Sequence, residues 1–356
     1  MLQETAARVS SAEFASPLIV AGEHHGPLVD QQLSEVGIRP AAILLEPEAR
    51  NTAAVAALAC EWALARDRDE ILLLMPSDHV ILDTASFLEG LQTGLPHASE
   101  GGIVTFGVHP SEPNTQYGYI EAEPSVTSDG VCRIVRFVEK PQPETAEKFC
   151  DSGRHYWNSG IFMFRPGTMV EELEQHLPDT RRSIALAFER RVEDGLFIRP
   201  ERSSFGTAES ISLDYAVMQK TDRGFVVPVT MGWSDVGSWS SVWLSSPKDK
   251  DNNAVAGDVL VFETKNSLVR SYGSATIVTI GLEDLVVVST RDAVLVAPLS
   301  RSNEVKNIVE QLAAAGRSCA TALPDGAREE DFSEIPFAPY RKEDDIVRLE
   351  DEYDRA

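Results

Sequence analysis

Residues 71–79 read Ile71-Leu72-Leu73-Leu74-Met75-Pro76-Ser77-Asp78-His79, and this stretch decides the fold. Five apolar residues in a row predict a central parallel strand that is buried on both faces. Pro76 cannot donate a hydrogen bond to a neighbouring strand, so we expect the strand to end before it. Asp78 then follows the carboxyl end of a strand, the edge at which open α/β sheets bind ligands. A carboxylate there is placed to hold a divalent cation, and the alternative is that it caps the next helix.

The composition excludes several classes of protein. The 356 residues are 43% hydrophobic, which suits two globular domains with a sizeable core. The net charge of −24 argues against nucleic-acid or membrane partners, and it would repel a phosphorylated substrate at long range. No apolar run approaches a membrane span, no signal peptide is recognisable, and the four cysteines form no CxxC pair. Together these features predict a cytoplasmic protein with reduced thiols.

Strands and helices alternate along the first two thirds of the chain. This alternation predicts an α/β fold, a Rossmann-like doubly wound mixed sheet. Beyond about residue 250, short apolar strands separated by turn residues predict a small all-β domain, for which a β-helical coil is one option, with a closing helix. The expected domains are 1–245, 250–316 and an acidic tail, 317–356.

Two segments place polar groups where predicted strands end. In Glu46-Pro47-Glu48-Ala49-Arg50-Asn51-Thr52, either Asn51 or Thr52 can cap the Ala-rich helix that follows. A helix N-terminus in that position also suits an anion or the polar edge of a ligand. Lys140 offers a point charge for a phosphate, and the preceding Glu139 offers an acceptor for hydroxyl groups. The alternative for this pair is an exposed ion pair that closes a strand.

Two further segments combine aromatic rings, glycine and polar side chains. Tyr156-Trp157-Asn158-Ser159-Gly160 sets an amide beside aromatic rings, which suits a polyol, although a simple turn is the alternative. The segment from Gly232 to Trp239 holds two tryptophans, two glycines and Asp235. Since Mg²⁺ takes few protein ligands, Asp78 and Asp235 could clamp one ion and leave room for phosphate oxygens.

Seven segments in a fixed order resemble the motifs of mannose-1-phosphate guanylyltransferases, which are sugar-phosphate nucleotidyltransferases. They are EPEARNTAA, LLLMPSDHV, FGVHP with YGYIEAE, RFVEKP, YWNSGIFMFR, ISLDYAVMQK and GWSDVGSW, and the resemblance covers about residues 15–315. The resemblance implies that GTP and α-mannose 1-phosphate give GDP-mannose and pyrophosphate, with Mg²⁺ as the cofactor. It assigns metal binding to Asp78 and Asp235, and catalysis to these two and Lys140. Its substrate-binding positions are Gly118, Glu139, Lys140 and Asn158 for the sugar phosphate, Glu46, Arg50, Asn51 and Thr52 for the base, and Asp214 near the sugar pocket.

The resemblance has a gap at each end. No segment before Pro17 matches the family's Gly-rich loop for the GTP phosphates, so one strand–loop–helix unit of about 30 residues is expected to be missing. Its loss would leave the sheet gapped and turnover poor, because the loop donates hydrogen bonds to the leaving pyrophosphate. Residues 343–351 resemble the end of the isomerase half of bifunctional relatives, but the body of that cupin domain is not recognisable. We therefore expect no isomerase activity.

Two hypotheses of function follow. The first is an active guanylyltransferase, which the retention of Asp78, Asp235 and Lys140 favours. The second is a non-enzymatic regulatory subunit that binds sugar phosphate or GDP-mannose, which the unmatched phosphate loop favours. The expected partners are GTP and mannose 1-phosphate, and the sequence leaves a homo-oligomer open.

Overall fold

The computed structural model describes residues 1–66, 70–123, 130–317 and 319. The chain divides into two compact units, Met1–Trp233 and Ser234–Ala356. Apart from residues 317 and 319, the predicted acidic tail lies outside the described residues. Among the residues that are described, no helix is long and apolar enough to cross a membrane.

The described part of the first unit contains eleven strands, and a twelfth begins at its last residue. They are β1 (Leu18–Gly22), β2 (Ala42–Glu46), β3 (Leu72–Leu74), β4 (Val80–Ile81), β5 (Ile103–Val108), β6 (Gly118–Ala122), β7 (Cys132–Glu139), β8 (His155–Phe164), β9 (Val192–Asp194), β10 (Phe197–Arg199), β11 (Gly224–Val229) and β12 (Trp233–Ser234). Six of them form a mixed sheet in the order β3-β8-β5-β11-β7-β6, and β6 pairs again with β8. Because of that second pairing, β8, β5, β11, β7 and β6 close into a ring.

A separate four-stranded sheet has the order β1-β2-β10-β9. β1, β2 and β10 run parallel, and β9 is antiparallel to β10. Glu46 therefore lies at the carboxyl end of a parallel strand, in register with Gly22 of β1. Ligands commonly bind beyond this end of parallel strands.

Helices cover both faces of the six-stranded sheet, and the first two helices of the chain pack against the four-stranded sheet. The helices are α1 (Leu2–Arg8), α2 (Gly26–Glu35), α3 (Asn51–Leu64), α4 (Thr84–Ser99), α5 (Pro143–Asp151), α6 (Pro166–His176), α7 (Pro178–Glu189), α8 (Arg202–Phe205) and a π-helical turn, Asp214–Met218. α3, α6 and α7 contribute to one hydrophobic cluster, and α4 contributes to a second cluster on the opposite face. Strand β5 separates the two, since Ile103 joins the first cluster whereas Val104 and Phe106 join the second.

The sequence predicts that the strand of residues 72–74 is central, but this strand lies at the edge of its sheet. Among the described strands, β3 pairs only with β8, in antiparallel orientation, and it is half-buried. The apolar run is still explained by its two faces: Leu72 and Leu74 pack on the first cluster, and Leu73 packs on the second. A run of apolar residues therefore reports burial by helices on both faces, and it does not report how many strands lie alongside. The expected end of the strand before Pro76 is confirmed.

The second unit is built from short strands that pair mainly in parallel. They are β13 (Ala254–Ala256), β14 (Val259–Phe262), β15 (Leu268–Ser271), β16 (Ile277–Ile280), β17 (Leu285–Ser289) and β18 (Val294–Pro298), with helices α9 (Trp239–Ser245) and α10 (Val305–Ala314). β13, β15 and β17 form one parallel ladder, to which β18 adds antiparallel, while β14 and β16 form another. From β13 to β17, successive strands thus alternate between two sheets, which makes the chain coil.

Candidate active site

A bulge in β8 places Asn158 at the centre of the candidate site. Gly107 of β5 is in register with Asn158, whereas Thr105 is in register with Phe162, so β8 carries extra residues between these points. Gly160 lies in the bulge with φ +70°, a conformation that favours glycine. Bulges of this kind turn a side chain out of its ladder. The segment from Tyr156 to Gly160 is thus part of a strand, and the alternative interpretation as a simple turn is wrong.

The side chain of Asn158 is held at both ends. Its Nδ2 donates to Asp214 Oδ1 at 2.8 Å, and its Oδ1 lies 2.9 Å from Thr105 Oγ1. Asp214 begins the π-helical turn that follows a loop, and Thr105 lies in the middle of β5. Sequence reasoning missed Thr105, although it is the only polar side chain between Ile103 and Val108.

Glu139 and Lys140 close β7 beside Gly118. Lys140 Nζ lies 2.9 Å from Glu139 Oε1, and the lysine side chain is 55% exposed whereas the glutamate is 11% exposed. Gly118 is in register with Glu139, and a side-chain carbon on Gly118 would collide with the Glu139 carboxylate. Lys140 has φ +46°, a strained value for a non-glycine residue. The pair is an ion pair that ends a strand, and the Lys140 ammonium group is accessible to solvent. Its predicted contact with a phosphate stays a prediction.

Electrostatic interactions join Asp214 to this pair. The pKa of the Asp214 carboxyl is raised to about 6, chiefly by burial and also by the charge of Glu139, whereas Lys140 acts to lower it. The hydrogen bond to Glu139 raises the pKa of Lys140, and Asp214 acts in the same direction. Five predicted residues, Gly118, Glu139, Lys140, Asn158 and Asp214, are therefore brought together in one polar cluster, which we call the pocket.

The loop that carries Asp78 lies against the bulge of β8. A side-chain carbon on Gly160 would be 3.5 Å from His79 and 3.6 Å from Pro76. Asp78 is exposed, and its carboxylate makes no hydrogen bond or ion pair with any described residue. The helix-cap alternative for Asp78 is wrong, because Asp83 caps α4 by accepting from Ser86 N at 3.0 Å.

Two aromatic rings tie this loop to Lys140. Trp233 Nε1 donates to His79 Nδ1 at 3.2 Å, and the Trp233 ring meets the Tyr117 ring with centroids 5.2 Å apart. The Tyr117 carbonyl in turn accepts from Lys140 N at 3.2 Å. The loop is also held from the other side, where Thr5 Oγ1 donates to the Ser77 carbonyl at 3.3 Å.

The predicted base-reading segment connects to the same pocket through its last residue. Thr52 Oγ1 accepts from Leu213 N at 2.9 Å, directly before Asp214. The sequence predicts Asn51 or Thr52 as the N-cap of α3, and this prediction is wrong. The N-cap is Arg50, whose side chain makes no capping hydrogen bond. The hydroxyl of Thr52 fixes the neighbouring segment instead, and Asn51 adopts φ +65°.

Two polar atoms of this segment are buried without partners among the described residues: Glu46 Oε1 and Arg50 Nε. Burial raises the pKa of Glu46 to about 7. The rest of the Arg50 guanidinium is engaged, since it pairs with Glu48 at 3.2 Å and donates to the Gly206 carbonyl. Buried polar atoms without partners are rare and call for a ligand or an ordered water.

Asp235 belongs to the second unit, so its predicted partnership with Asp78 stays a prediction. It is half-buried, and its Oδ1 accepts from Gly237 N at 3.0 Å. The next residue, Val236, has φ +52°, which is strained for a β-branched residue. In the described part of the chain, no three acidic, histidine or cysteine side chains gather to hold a metal ion. The carboxylates of Asp78 and Asp235 nonetheless suit Mg²⁺, because water and phosphate oxygens would complete the coordination shell of the ion.

Comparison with known families decides the assignment. A family profile described as nucleotidyl transferase matches residues 1–252, which is more than half of the chain. The chain belongs to the nucleotidyl transferase family. A second profile, described as a mannose-phosphate isomerase/GMP-like beta-helix domain, matches residues 257–312. The predicted resemblance is confirmed, and the coil of the second unit agrees with the second profile.

Individual relatives of this nucleotidyl transferase point to one branch of the family. A xanthan biosynthesis protein of Xanthomonas campestris is 44% identical over 90% of this chain and 68% of its own length. A mannose-1-phosphate guanylyltransferase of Salmonella montevideo is 41% identical over 88% of this chain and 66% of its own. A Thermus thermophilus structure named as a mannose-1-phosphate geranyltransferase is 31% identical, with a TM-score of 0.74 over 88% of this chain and 89% of its own. The predicted α/β fold followed by a small β-rich unit is thereby confirmed.

Proposed function

We propose that this nucleotidyl transferase is a mannose-1-phosphate guanylyltransferase, which converts GTP and mannose 1-phosphate to GDP-mannose and pyrophosphate. The observation that carries the proposal is the pocket of Lys140, Glu139, Asn158 and Asp214. It combines one accessible ammonium group with three side chains that can exchange hydrogen bonds with hydroxyl groups. The name of the Salmonella relative supports the same substrates.

In this reaction a phosphate oxygen of the sugar attacks the α-phosphorus of GTP. A new P–O bond forms there while the bond to the β-phosphate oxygen breaks and pyrophosphate leaves. The protein contributes positioning and charge neutralisation more than covalent chemistry. Lys140 would hold the attacking phosphate, and Asn158 and Glu139 would bind sugar hydroxyls, since polar groups that a wrong sugar leaves unpaired are costly.

The base and the metal complete the proposal. The buried, unpartnered Glu46 Oε1 suits the N–H groups at the edge of guanine. Asp78 and Asp235 would hold Mg²⁺, which neutralises phosphate charge when it is bound. Asp78 is suited to this role because its carboxylate is exposed and makes no ion pair with a described residue.

The proposal is tested by mannose 1-phosphate binding and by pyrophosphate release. The purified chain is titrated with mannose 1-phosphate and with its epimer glucose 1-phosphate by calorimetry. Pyrophosphate release from GTP and each sugar phosphate is then followed with Mg²⁺ and with excess EDTA. We expect selective binding of mannose 1-phosphate and, in line with the poor turnover that the sequence predicts, only slow release that depends on Mg²⁺. Binding of mannose 1-phosphate without release of pyrophosphate would support the hypothesis of a non-enzymatic subunit over that of an enzyme. If neither sugar phosphate binds, both hypotheses are overturned.

Lys140→Ala tests the proposed phosphate contact. Loss of a hydrogen bond to a charged group costs about 1.5–3 kcal/mol, so the Kd for mannose 1-phosphate should rise about 10- to 100-fold. Binding of GTP should change little. The matched control is Lys148→Ala, an exposed lysine of α5, which should leave both affinities unchanged. An unaltered Kd for mannose 1-phosphate in Lys140→Ala would exclude the role.

A further inference from the structure

Thr105 is the one polar side chain of a buried strand, and it faces the site. Its own side chain is fully buried, and along β5 it lies on the same face as Ile103, which packs in the first hydrophobic cluster. A hydroxyl in such surroundings is costly unless it is hydrogen-bonded. Its Oγ1 is 2.9 Å from Asn158 Oδ1 and 2.9 Å from the Ile161 carbonyl.

These two acceptors lie on either side of the bulge in β8. Asn158 precedes Gly160, and Ile161 follows it. The single hydroxyl hydrogen of Thr105 is therefore shared between a side chain that points into the pocket and the main chain where the regular ladder resumes. Thr105 thus fastens the bulge from the neighbouring strand, at the point where the register shifts.

The orientation of the Asn158 amide depends on this contact. Asp214 Oδ1 accepts from Nδ2, so the opposite atom of the amide, Oδ1, must face Thr105. The ionised Asp214 carboxylate can only accept, so it selects this orientation of the amide, and the Thr105 hydroxyl holds the opposite end by donating to Oδ1. Nδ2 carries two hydrogens, and Asp214 is its only acceptor within the described part of the chain, which leaves one for a ligand.

We propose that Thr105 is a positioning residue that fixes the Asn158 amide for recognition of a hexose 1-phosphate hydroxyl. This inference rests on the proposed binding of mannose 1-phosphate at the pocket. Without the Thr105 hydroxyl, Asn158 Oδ1 and the Ile161 carbonyl both lose their donor. The amide of Asn158 then turns away from the orientation in which it binds the sugar. Thr105 acts through Asn158 and does not touch the sugar phosphate.

The test compares Thr105→Val, which removes the hydroxyl at constant shape, with Thr105→Ser, which keeps it. Binding of mannose 1-phosphate and glucose 1-phosphate is measured by calorimetry, together with GTP binding and circular dichroism. We expect Thr105→Val to weaken mannose 1-phosphate binding about tenfold, as for one buried hydrogen bond, and to reduce discrimination between the epimers. GTP binding should not change, and Thr105→Ser should restore the wild-type values.

A double-mutant cycle separates positioning from a general structural effect. If Thr105 acts through Asn158, Thr105→Val combined with Asn158→Ala should bind mannose 1-phosphate no more weakly than Asn158→Ala alone. Additive losses would overturn the inference, as would an unchanged affinity in Thr105→Val or an equal loss in Thr105→Ser. If Thr105→Val does not fold, Thr105→Ala takes its place in the same cycle with the same expectation. If the wild-type chain binds no hexose 1-phosphate, the proposed function fails instead.

Discussion

At the scale of single residues, Asp214 is a buried carboxyl group, and burial disfavours its ionised form. Its pKa is raised from 3.8 to about 6, chiefly by burial. A carboxyl with a raised pKa in the folded state stabilises the protein most when it is protonated, below about pH 4. That contribution is lost as the pH rises to about 6, and it stays lost above.

Asp214→Asn should therefore stabilise the protein at neutral pH. An amide in this position still offers an acceptor to Asn158 and carries no charge. We expect the free energy of unfolding to exceed that of the wild type by about 2–3 kcal/mol at pH 7.5 and by little at pH 4. Urea unfolding at both pH values measures this, with the exposed Asp151→Asn as the control. A difference that does not depend on pH would show that the carboxyl is not strained by its surroundings.

A second prediction at this scale concerns Glu46, because its pKa of about 7 lies between pH 6 and pH 8, where binding can be measured. If its carboxylate accepts hydrogen bonds from guanine, it must be ionised to bind. Binding of GDP-mannose, whose phosphates do not titrate near neutrality, should then weaken about tenfold between pH 8 and pH 6. Glu46→Gln should bind weakly with no pH dependence over this range. A wild-type affinity that is constant with pH would remove Glu46 from base recognition.

At the scale of elements, Asn253 holds the first turns of the second unit together. Its side chain is almost fully buried, and Nδ2 donates to the Thr264 carbonyl at 2.7 Å while Oδ1 accepts from Ser267 N at 3.1 Å. The segment before it is polar and turn-rich, yet it is ordered by Asp249, whose Oδ1 accepts from Asn253 N at 2.8 Å. The expected domain boundary in this region is thus a hydrogen-bonded turn.

Asn253→Ala should destabilise the second unit, because it leaves a buried carbonyl and a buried amide without partners. The expected loss is about 2–4 kcal/mol in the free energy of unfolding. The exposed Asn307→Ala in α10 is the control and should change stability by less than about 0.5 kcal/mol. Thermal unfolding followed by circular dichroism measures both variants. Equal midpoints for the two would show that the Asn253 network does not stabilise the fold.

The elements also show how far the sequence determines the structure. The strands Ile103–Val108, Val259–Phe262 and Leu285–Ser289 are predicted at both ends, because each is an apolar run bounded by turn residues. The edge position of β3 is not predictable in this way, since pairing depends on distant segments. The bulge at Asn158 is missed for the same reason: its extra residues are defined only by their register with β5. The pocket residues lie in motifs that the sequence shows, whereas the role of Thr105 depends on the pairing of β5 with β8.

At the scale of the whole molecule, a net charge of −24 acts on substrates that are themselves anions. Repulsion by the distributed charge extends about 30 Å at 10 mM salt and only about 8 Å at 150 mM. The contact of Lys140 with a phosphate acts at a few ångströms and is screened less. Salt should therefore weaken the repulsion more than it weakens the contact.

The association rate constant of mannose 1-phosphate should accordingly rise between 10 and 150 mM KCl, because electrostatic steering here opposes the encounter. Stopped-flow measurement of tryptophan fluorescence can follow binding, since Trp233 lies beside the ring of Tyr117 and the loop of Asp78. Uncharged mannose serves as the control, and its association should not respond to salt. A rate constant for mannose 1-phosphate that falls with salt would mean that cations around the pocket, with Lys140 foremost, outweigh the field of the whole chain. In that case Lys140→Ala should reverse the sign of the salt effect.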